Sequence, residues 1–251
     1  MKLFNVSIIA LAALASGCKN NTEQEEQDVQ TEEQSVVTQD QENDWQELSS
    51  GNDLSGWKAY KTDSISDQWK KEGEAIVFTP SEDSPEGSEN LITEDEYTNF
   101  QLDFEWKISE GGNSGIMWGV QEMEEYNEPY YTGPEIQLLD NERHPDAKNG
   151  PVRQAGALYD MVPPGEDVTN PAGEWNTQSI VIDHKNNKGS VTLNGTKVTE
   201  FPVHGDEWEQ MVSESKFSDW EDFGKSRTGH IALQDHGNKV AFKNIRIKEL
   251  E

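Results

Sequence analysis

The chain has one cysteine, Cys18, and very little positive charge. One thiol excludes an intramolecular disulfide, and if Cys18 is modified no thiolate remains for catalysis or for a Cys-ligated zinc site. Lys and Arg number 20 against 49 Asp and Glu, a formal net charge of −29. So acidic a surface repels phosphate backbones, which excludes nucleic acid as a partner and favours a neutral ligand or a bound cation. Beyond the first residues no apolar run is long enough to span a bilayer. Helical periodicity is almost absent as well, which turns attention to strands.

The residues present at the start read as an export signal. Lys2 precedes an apolar run from Leu3 to Leu14 that ends in Ala15-Ser16-Gly17-Cys18. This pattern predicts a signal peptide over residues 1–17. A cysteine directly after small residues resembles the lipobox of bacterial lipoproteins, although Ala15 stands where that motif prefers Leu. Cys18 is therefore expected to carry lipid, with a membrane contact through that anchor only. Residues 18–43 are dominated by Gln, Glu, Asn and Thr and are expected to form a disordered acidic tether. Acids soon after a lipidated Cys resemble the surface-export signals of Bacteroidetes lipoproteins. The expected location is the cell envelope, as an outer-membrane lipoprotein facing the periplasm or the surface. With the net −8 of residues 19–44 and Lys2 set aside, about −22 remains on the rest of the chain.

Residues 44–251 read as one β-rich domain without repeats. Phe100, Leu102, Phe104, Trp106 and Ile108 alternate with polar residues, the pattern of a strand with one buried face. Gln68–Thr79 predicts a hairpin turning near Glu72-Gly73. Ser179–Val198 holds two further runs ending in Asn194-Gly195, a hairpin-turn dipeptide. Shorter strands are expected at Leu91–Thr93, Gly115–Val120, Gly133–Asp140, Ala155–Tyr159, Gly229–Gln234 and Val240–Lys248. In the last, apolar parity changes between Phe242 and Ile245, which calls for a bulge or an exposed edge. One helix is expected, capped by Asp206 and carrying Trp208, Met211 and Val212 on its apolar stripe. Many short strands with turn signals imply a two-layer antiparallel sandwich.

The stretch Pro129–His144 concentrates chemistry-bearing residues. Glu135 and Gln137 share one face of a strand. Asp140 has the wrong parity to join them unless an extra residue is bulged in. Two carboxylates and an amide in one cleft suit acid/base work on a sugar. The alternative is a half-exposed strand whose acids are merely solvated.

Gly111-Gly-Asn-Ser-Gly-Ile116, Thr132-Gly-Pro-Glu-Ile-Gln-Leu-Leu-Asp-Asn141, Ala155-Gly-Ala-Leu-Tyr-Asp160 and Gly173-Glu-Trp-Asn176 occur in that order. Leu193-Asn-Gly195, Ser215-Lys-Phe217, Gly229-His-Ile-Ala-Leu-Gln-Asp-His-Gly237 and Phe242-Lys-Asn-Ile-Arg-Ile247 follow. The set resembles the 3-keto-disaccharide hydrolase family, also described as 3-keto-glucoside 1,2-lyase/3-keto-2-hydroxyglucal hydratase, from about Trp45 onward. The resemblance implies a concanavalin A-like jelly roll and activity on glucosides oxidised at C3. One departure stands at Trp118-Gly119, where many members carry an Arg.

A ketone at C3 acidifies the C2 proton. A base can then remove that proton and expel the C1 substituent, after which water adds to the enone. This needs a base over C2, an acid near the glycosidic oxygen and a partner for the enolate oxygen. The candidates are Glu135, Asp140, His144, Tyr159, His230, Asp235 and His236, with Glu135 as the first choice of base. His230 and His236, six apart, share a face if their strand is regular. Glu135, Asp140 and His236 are also the candidate ligands for a divalent metal, with no recognised metal-motif spacing. Gln137, Asn113, Trp118, Tyr131, His144 and Asp235 are candidate substrate contacts, and Tyr130 can stack on a sugar ring beside Trp118 and Tyr131. Trp57, Trp106 and Trp175 are assigned to the core, and His184 and His204 receive no role. Two other readings stay open, a retaining glycosidase using Glu135-x-Gln137-x-x-Asp140 and a carbohydrate-binding lipoprotein without catalysis. Replacing Cys18 with Ser should release the protein from the membrane fraction of cells. Unchanged membrane association would count against lipidation.

Overall fold

The alternation over Phe100–Ile108 becomes strand β6, buried and half-buried in strict turn. It lies at the centre of the larger sheet of a computed structural model that describes residues 44–81 and 89–251. The expected signal peptide, Cys18 and the whole tether of residues 18–43 lie outside the described residues. Around β6 the chain adds β1 (Gln46–Glu47), β3 (Trp69–Glu72), β4 (Ala75–Phe78), β9 (Asn176–Asp183), β10 (Lys188–Leu193), β11 (Thr196–Phe201) and β13 (Val240–Glu249). Their order is β11-β10-β9-β6-β13-β4-β3, with β1 on β13. A second sheet runs β2 (Trp57–Ala59), β5 (Leu91–Thr93), β12 (His230–Leu233), β7 (Asn113–Val120) and β8 (Glu135–Leu139). All pairings in both sheets are antiparallel, the jelly-roll sandwich expected, with one α-helix, α1 (Asp206–Ser213), among the described residues.

The core lies between the sheets, where Phe78, Phe100, Trp106 and Phe242 of the larger one meet Leu91, Ile116, Ile136 and Leu138 of the smaller. The Trp106 indole donates to Gln178 Oε1 at 2.8 Å, so the buried ring keeps its polar handle satisfied. Trp57 is also core, 3% exposed. Trp175 is not. It lies half-buried against Ala75, Val77 and Ala241, with the ammoniums of Lys107 and Lys243 at 4.8 and 4.4 Å from its ring. Those partners are on the outer face of the larger sheet, where a broad ring shields apolar surface and attracts cations.

The two sheets differ in what covers them. Strands β6 and β9 alternate between buried and half-buried or exposed residues, which leaves one face of the larger sheet toward water. Every residue of β5, β7, β8 and β12 is buried. The smaller sheet is therefore covered on both faces, and the loops that cover its outer face enclose polar side chains there.

Turn and parity expectations hold where they are local. The β3–β4 hairpin turns at Gly73, with φ +64°, and Asn194 and Gly195 both take positive φ as a type I′ turn requires. The register of β13 shifts between Lys243 and Arg246, with Asn244 at φ +51°, so a bulge carries the parity change. Ala155–Tyr159 is not a strand. Gly156, at φ +84°, breaks the extended run, and Leu158 turns back onto Val162 after one bridge to Ile136. Asp206 does not cap α1 either. Gly205 holds the cap position at φ +79°, and Asp206, Glu207 and Glu209 instead place negative charge in the first turn.

Phe242 sits fully buried between Trp69 and Phe104. Phe242→Ala should cost about 3–5 kcal/mol, read from the midpoint of a urea unfolding curve with unchanged slope.

Candidate active site

Period-two alternation sends Ile136 and Leu138 of β8 into the core and Glu135 and Gln137 to the covered outer face. Register extends this across the sheet. Gly115 pairs with Gln137, the Gln234 backbone N–H donates to the Gly115 carbonyl at 3.0 Å, and Leu91, beside Asn90, pairs with Leu233, beside Gln234. Gln137, Gly115, Gln234 and Asn90 thus form one row, with Glu135 one step along β8. Above them lies a cavity of about 430 Å³ lined also by Asn113, Glu128, Tyr130, Tyr131, Tyr159, Lys216, Trp220, Asp235 and His236. That volume falls within the roughly 300–1,000 Å³ of small-ligand sites.

Gly115 decides where the Glu135 carboxylate sits. A Cβ on residue 115 would stand 2.1 Å from Glu135 Oε1, so only glycine leaves the space that the carboxylate fills. Glu135 is 8% exposed. Burial is the largest influence on it and pushes its pKa up to about 7. The Lys216 charge and a hydrogen bond from the Gln234 side chain pull it back, while the Asp146 charge raises it further. Glu135 therefore titrates near neutrality, which suits a base that must take up and release a proton.

Lys216 follows α1 and brings its ammonium 4.3 Å from the Tyr159 ring centroid. Loss of solvation lowers its pKa, opposed by the Glu135 charge. Tyr159 donates to Asp146 Oδ2 at 2.8 Å and accepts from Arg153 Nη1 at 2.9 Å. Burial, then the bond to Asp146, raise the Tyr159 pKa. Its hydroxyl therefore stays protonated, which leaves it a donor and not a base. Arg153 also bridges Asp146 and Asp160, at 3.2 and 2.7 Å, and anchors this corner. Burial pushes Asp146 up, but bonds from Asn149 and Tyr159 and the Arg153 charge outweigh it and leave its pKa below the ordinary value.

At the opposite end, Asn90 Nδ2 donates to Glu128 Oε2 at 3.0 Å, and Asn90 Oδ1 accepts from the Asp235 N–H at 3.0 Å. Burial, then the Asp235 charge, push Glu128 up to about 7. Asp235 also accepts from the Gly237 N–H, fixing the turn that presents His236. The His236 ring stands edge-on to His144 at 6.3 Å. Trp220 meets Tyr131 at 4.8 Å and Phe217 at 5.0 Å, and Tyr130 completes an aromatic wall. Three amide oxygens at the cavity, Asn113 Oδ1, Gln137 Oε1 and Gln234 Oε1, are buried without a hydrogen-bond partner in the protein. They are acceptors facing a space where hydroxyl donors would satisfy them.

The structure brings together Glu135, Gln137, Asn113, Tyr131, Tyr159, Asp235 and His236, with His144 beside His236. It does not bring in Asp140. β8 stays regular, so no bulge corrects its parity, and the Asp140 carboxylate accepts from the N–H groups of Gly111, Glu142 and Arg143. Glu135, Asp140 and His236 consequently do not converge as metal ligands. Among the described residues no group of three or more His, Cys, Asp or Glu can hold a metal ion. His144 is also used locally, its Nδ1 accepting from the Asp146 N–H. His230 lies at the far end of β12, its Nε2 3.7 Å from Glu96. β12 ends at Leu233, short of His236, so no single regular strand carries both histidines, and His230 does not line the cavity. Trp118 points into the core and stacks on Phe201 at 5.8 Å, away from the cavity.

Glu128, Lys216, Gln234, Asn90 and Trp220 were not singled out from sequence. Lys216 and Gln234 lay inside motifs already noted, and Glu128 directly precedes Pro129-Tyr130-Tyr131. Asn90 had only its parity with Ile92 to mark it.

A family model described as the 3-keto-alpha-glucoside-1,2-lyase-like domain matches residues 44–248. A protein of Bacteroides thetaiotaomicron named 3-keto-disaccharide hydrolase is 36% identical over 228 residues, spanning 80% of this chain and 77% of that protein. A crystal structure of a candidate glycosyl hydrolase from Parabacteroides distasonis superposes with a TM-score of 0.76 at 32% identity, covering 89% of this chain and 99% of that one. A second from the same organism gives 0.62 at 26% identity, covering 83% and 100%.

The raised pKa of Glu135 has a stability consequence. Between the ordinary glutamate value of 4.5 and about 7 the unfolded chain ionises while the folded one stays protonated, so stability falls as pH rises. At 1.36 kcal/mol per unit this is about 3 kcal/mol. Glu135→Gln should therefore melt higher than wild type at pH 8, and the difference should shrink toward pH 4. A variant less stable than wild type at pH 8 would mean that Glu135 is stabilising as an anion.

Proposed function

The chain belongs to the 3-keto-alpha-glucoside-1,2-lyase-like family, and from that premise we propose that it cleaves 3-keto-glucosides and 3-keto-disaccharides by β-elimination across C1–C2 followed by hydration of the enone. The observation that carries this reading is the Glu135 carboxylate, buried over Gly115 and poised near neutrality. A C2 proton made acidic by the neighbouring ketone is within the reach of such a base, whereas an unactivated glycoside offers it no comparable proton. Lys216, whose charge acts on Glu135, supplies positive charge for the oxygen that becomes an enolate. The Tyr159 hydroxyl and Arg153 hold Asp146, and with it that corner, in place. Asn113, Gln137 and Gln234 offer amide oxygens to sugar hydroxyls, while Trp220, Tyr131 and Tyr130 offer flat apolar surface to a ring.

The retaining-glycosidase reading needs a second carboxylate close to Glu135 on the same face, about 5 Å away. Asp140 is committed to the loop after β8 and cannot fill that place. We also place the protein at the cell envelope through a lipidated Cys18, a reading supported by the apolar run before that residue.

Aglycone release from a glucoside and from its 3-keto counterpart tests the need for the ketone, and only the second should react. In D₂O the released sugar should carry deuterium at C2, beyond what the free 3-keto sugar exchanges unaided. Retained protium after short incubation would rule elimination out. Glu135→Gln should lose about 10²–10⁴-fold in kcat with little change in substrate affinity. If elimination is found and this variant stays active, His236 takes the role of base.

A further inference from the structure

We infer that Glu128 is the acid that protonates the glycosidic oxygen as the C1–O bond breaks, an assignment that rests on the elimination reading above. Glu128 enters the cavity from the loop over the sheet, and Asn90 Nδ2 fixes its carboxyl at 3.0 Å. Asn90 occupies the same row as Gly115, over which Glu135 lies, with only β12 between them. At ~4.8 Å per strand the two anchor positions stand about 10 Å apart. Two carboxyls thus reach into one cavity from opposite sides, with room for a sugar between them. In a 3-keto-α-glucoside the axial C2 hydrogen and the axial C1 oxygen lie on opposite faces of the ring. Concerted or stepwise loss of both needs a base on one face and an acid on the other, which this pair supplies. Burial and the Asp235 charge push Glu128 up to about 7, so a protonated fraction persists at neutral pH.

The step balances without a further reactant. Glu135 takes the C2 proton, the C1–C2 double bond forms, the C1–O bond breaks, and the Glu128 proton passes to the departing oxygen. In the hydration half, the Glu128 carboxylate takes a proton from water as its oxygen bonds to C1. Glu135 then returns a proton to C2. Glu128 is half-buried, which leaves it able to meet incoming water.

A leaving group that needs no proton should not need Glu128. The test compares methyl and 4-nitrophenyl 3-keto-α-glucosides with wild type and Glu128→Gln, after checking that both melt alike. Followed as aglycone release in a single turnover, a step that precedes the hydration in which Glu128 also acts, the methyl substrate should slow by about 10²–10⁴-fold and the 4-nitrophenyl substrate by less than about 10-fold. Equal slowing of both, or no slowing of the methyl substrate, overturns the assignment while leaving elimination intact. Wild type that cleaves neither substrate overturns elimination and the assignment together. Should Glu128→Gln fail to fold, the wild-type dependence of kcat/KM on leaving-group pKa across aryl 3-keto-glucosides decides. A shallow dependence supports proton donation and a steep one overturns it.

Discussion

The Glu135 carboxylate occupies space that any side chain at residue 115 would take, beneath loops that keep water away. Ionising a carboxyl there costs free energy that the Lys216 charge and the Gln234 hydrogen bond only partly offset. The fold tolerates the cost because the site rests on a sheet buried on both faces and backed by an apolar core. A looser scaffold would let water in and return the group to its ordinary acidity. Basicity and burial are in this sense one property, and the geometry around Gly115 sets both.

The division of labour between the sheets follows from this. The larger sheet keeps a solvated outer face and acts as a platform, its aromatic rings packing the inner side. The smaller sheet carries the polar row on its outer face, where the loop around residues 126–133 and the segment after α1 close over it. Those two segments deliver Glu128, Lys216 and the aromatic wall. The chemistry-bearing groups thus divide between strands that fix position to a fraction of a pleat and loops that set the shape of the cavity. That arrangement suits a site which must hold a ring and admit water afterwards.

Much of the fold was legible from local signals. The alternation in β6, the Asn194-Gly195 turn and the parity change in β13 each report a backbone period or a dihedral requirement within a few residues. Glu135 and Gln137 were legible for the same reason, since alternation alone puts them on one face. Where expectations missed, a single residue had changed the local conformation or a distant partner had claimed the group. Gly156 at positive φ ended a run that reads as strand, and Gly205 displaced Asp206 from the cap. Trp118 and Trp175 could be sorted only once both faces of each sheet were known, because a tryptophan reads alike in a core, on a sheet surface or in a cleft.

The sequence by itself determined the β-sandwich class, the family resemblance, the acidic character and the placing of Glu135 at the centre of its motif. These depend on residue type, period and order along the chain. Only the tertiary structure decided which other residues share its cavity. Asn90, Glu128, Lys216 and Gln234 are far apart in sequence and meet through strand order and loop closure, which no local pattern encodes. It also decided that Asp140 belongs to a loop and His230 to the far end of its strand. The acidity of Glu135 was likewise beyond the sequence, because desolvation arises from the summed exclusion of water by every element packed around a group and not from its neighbours in the chain.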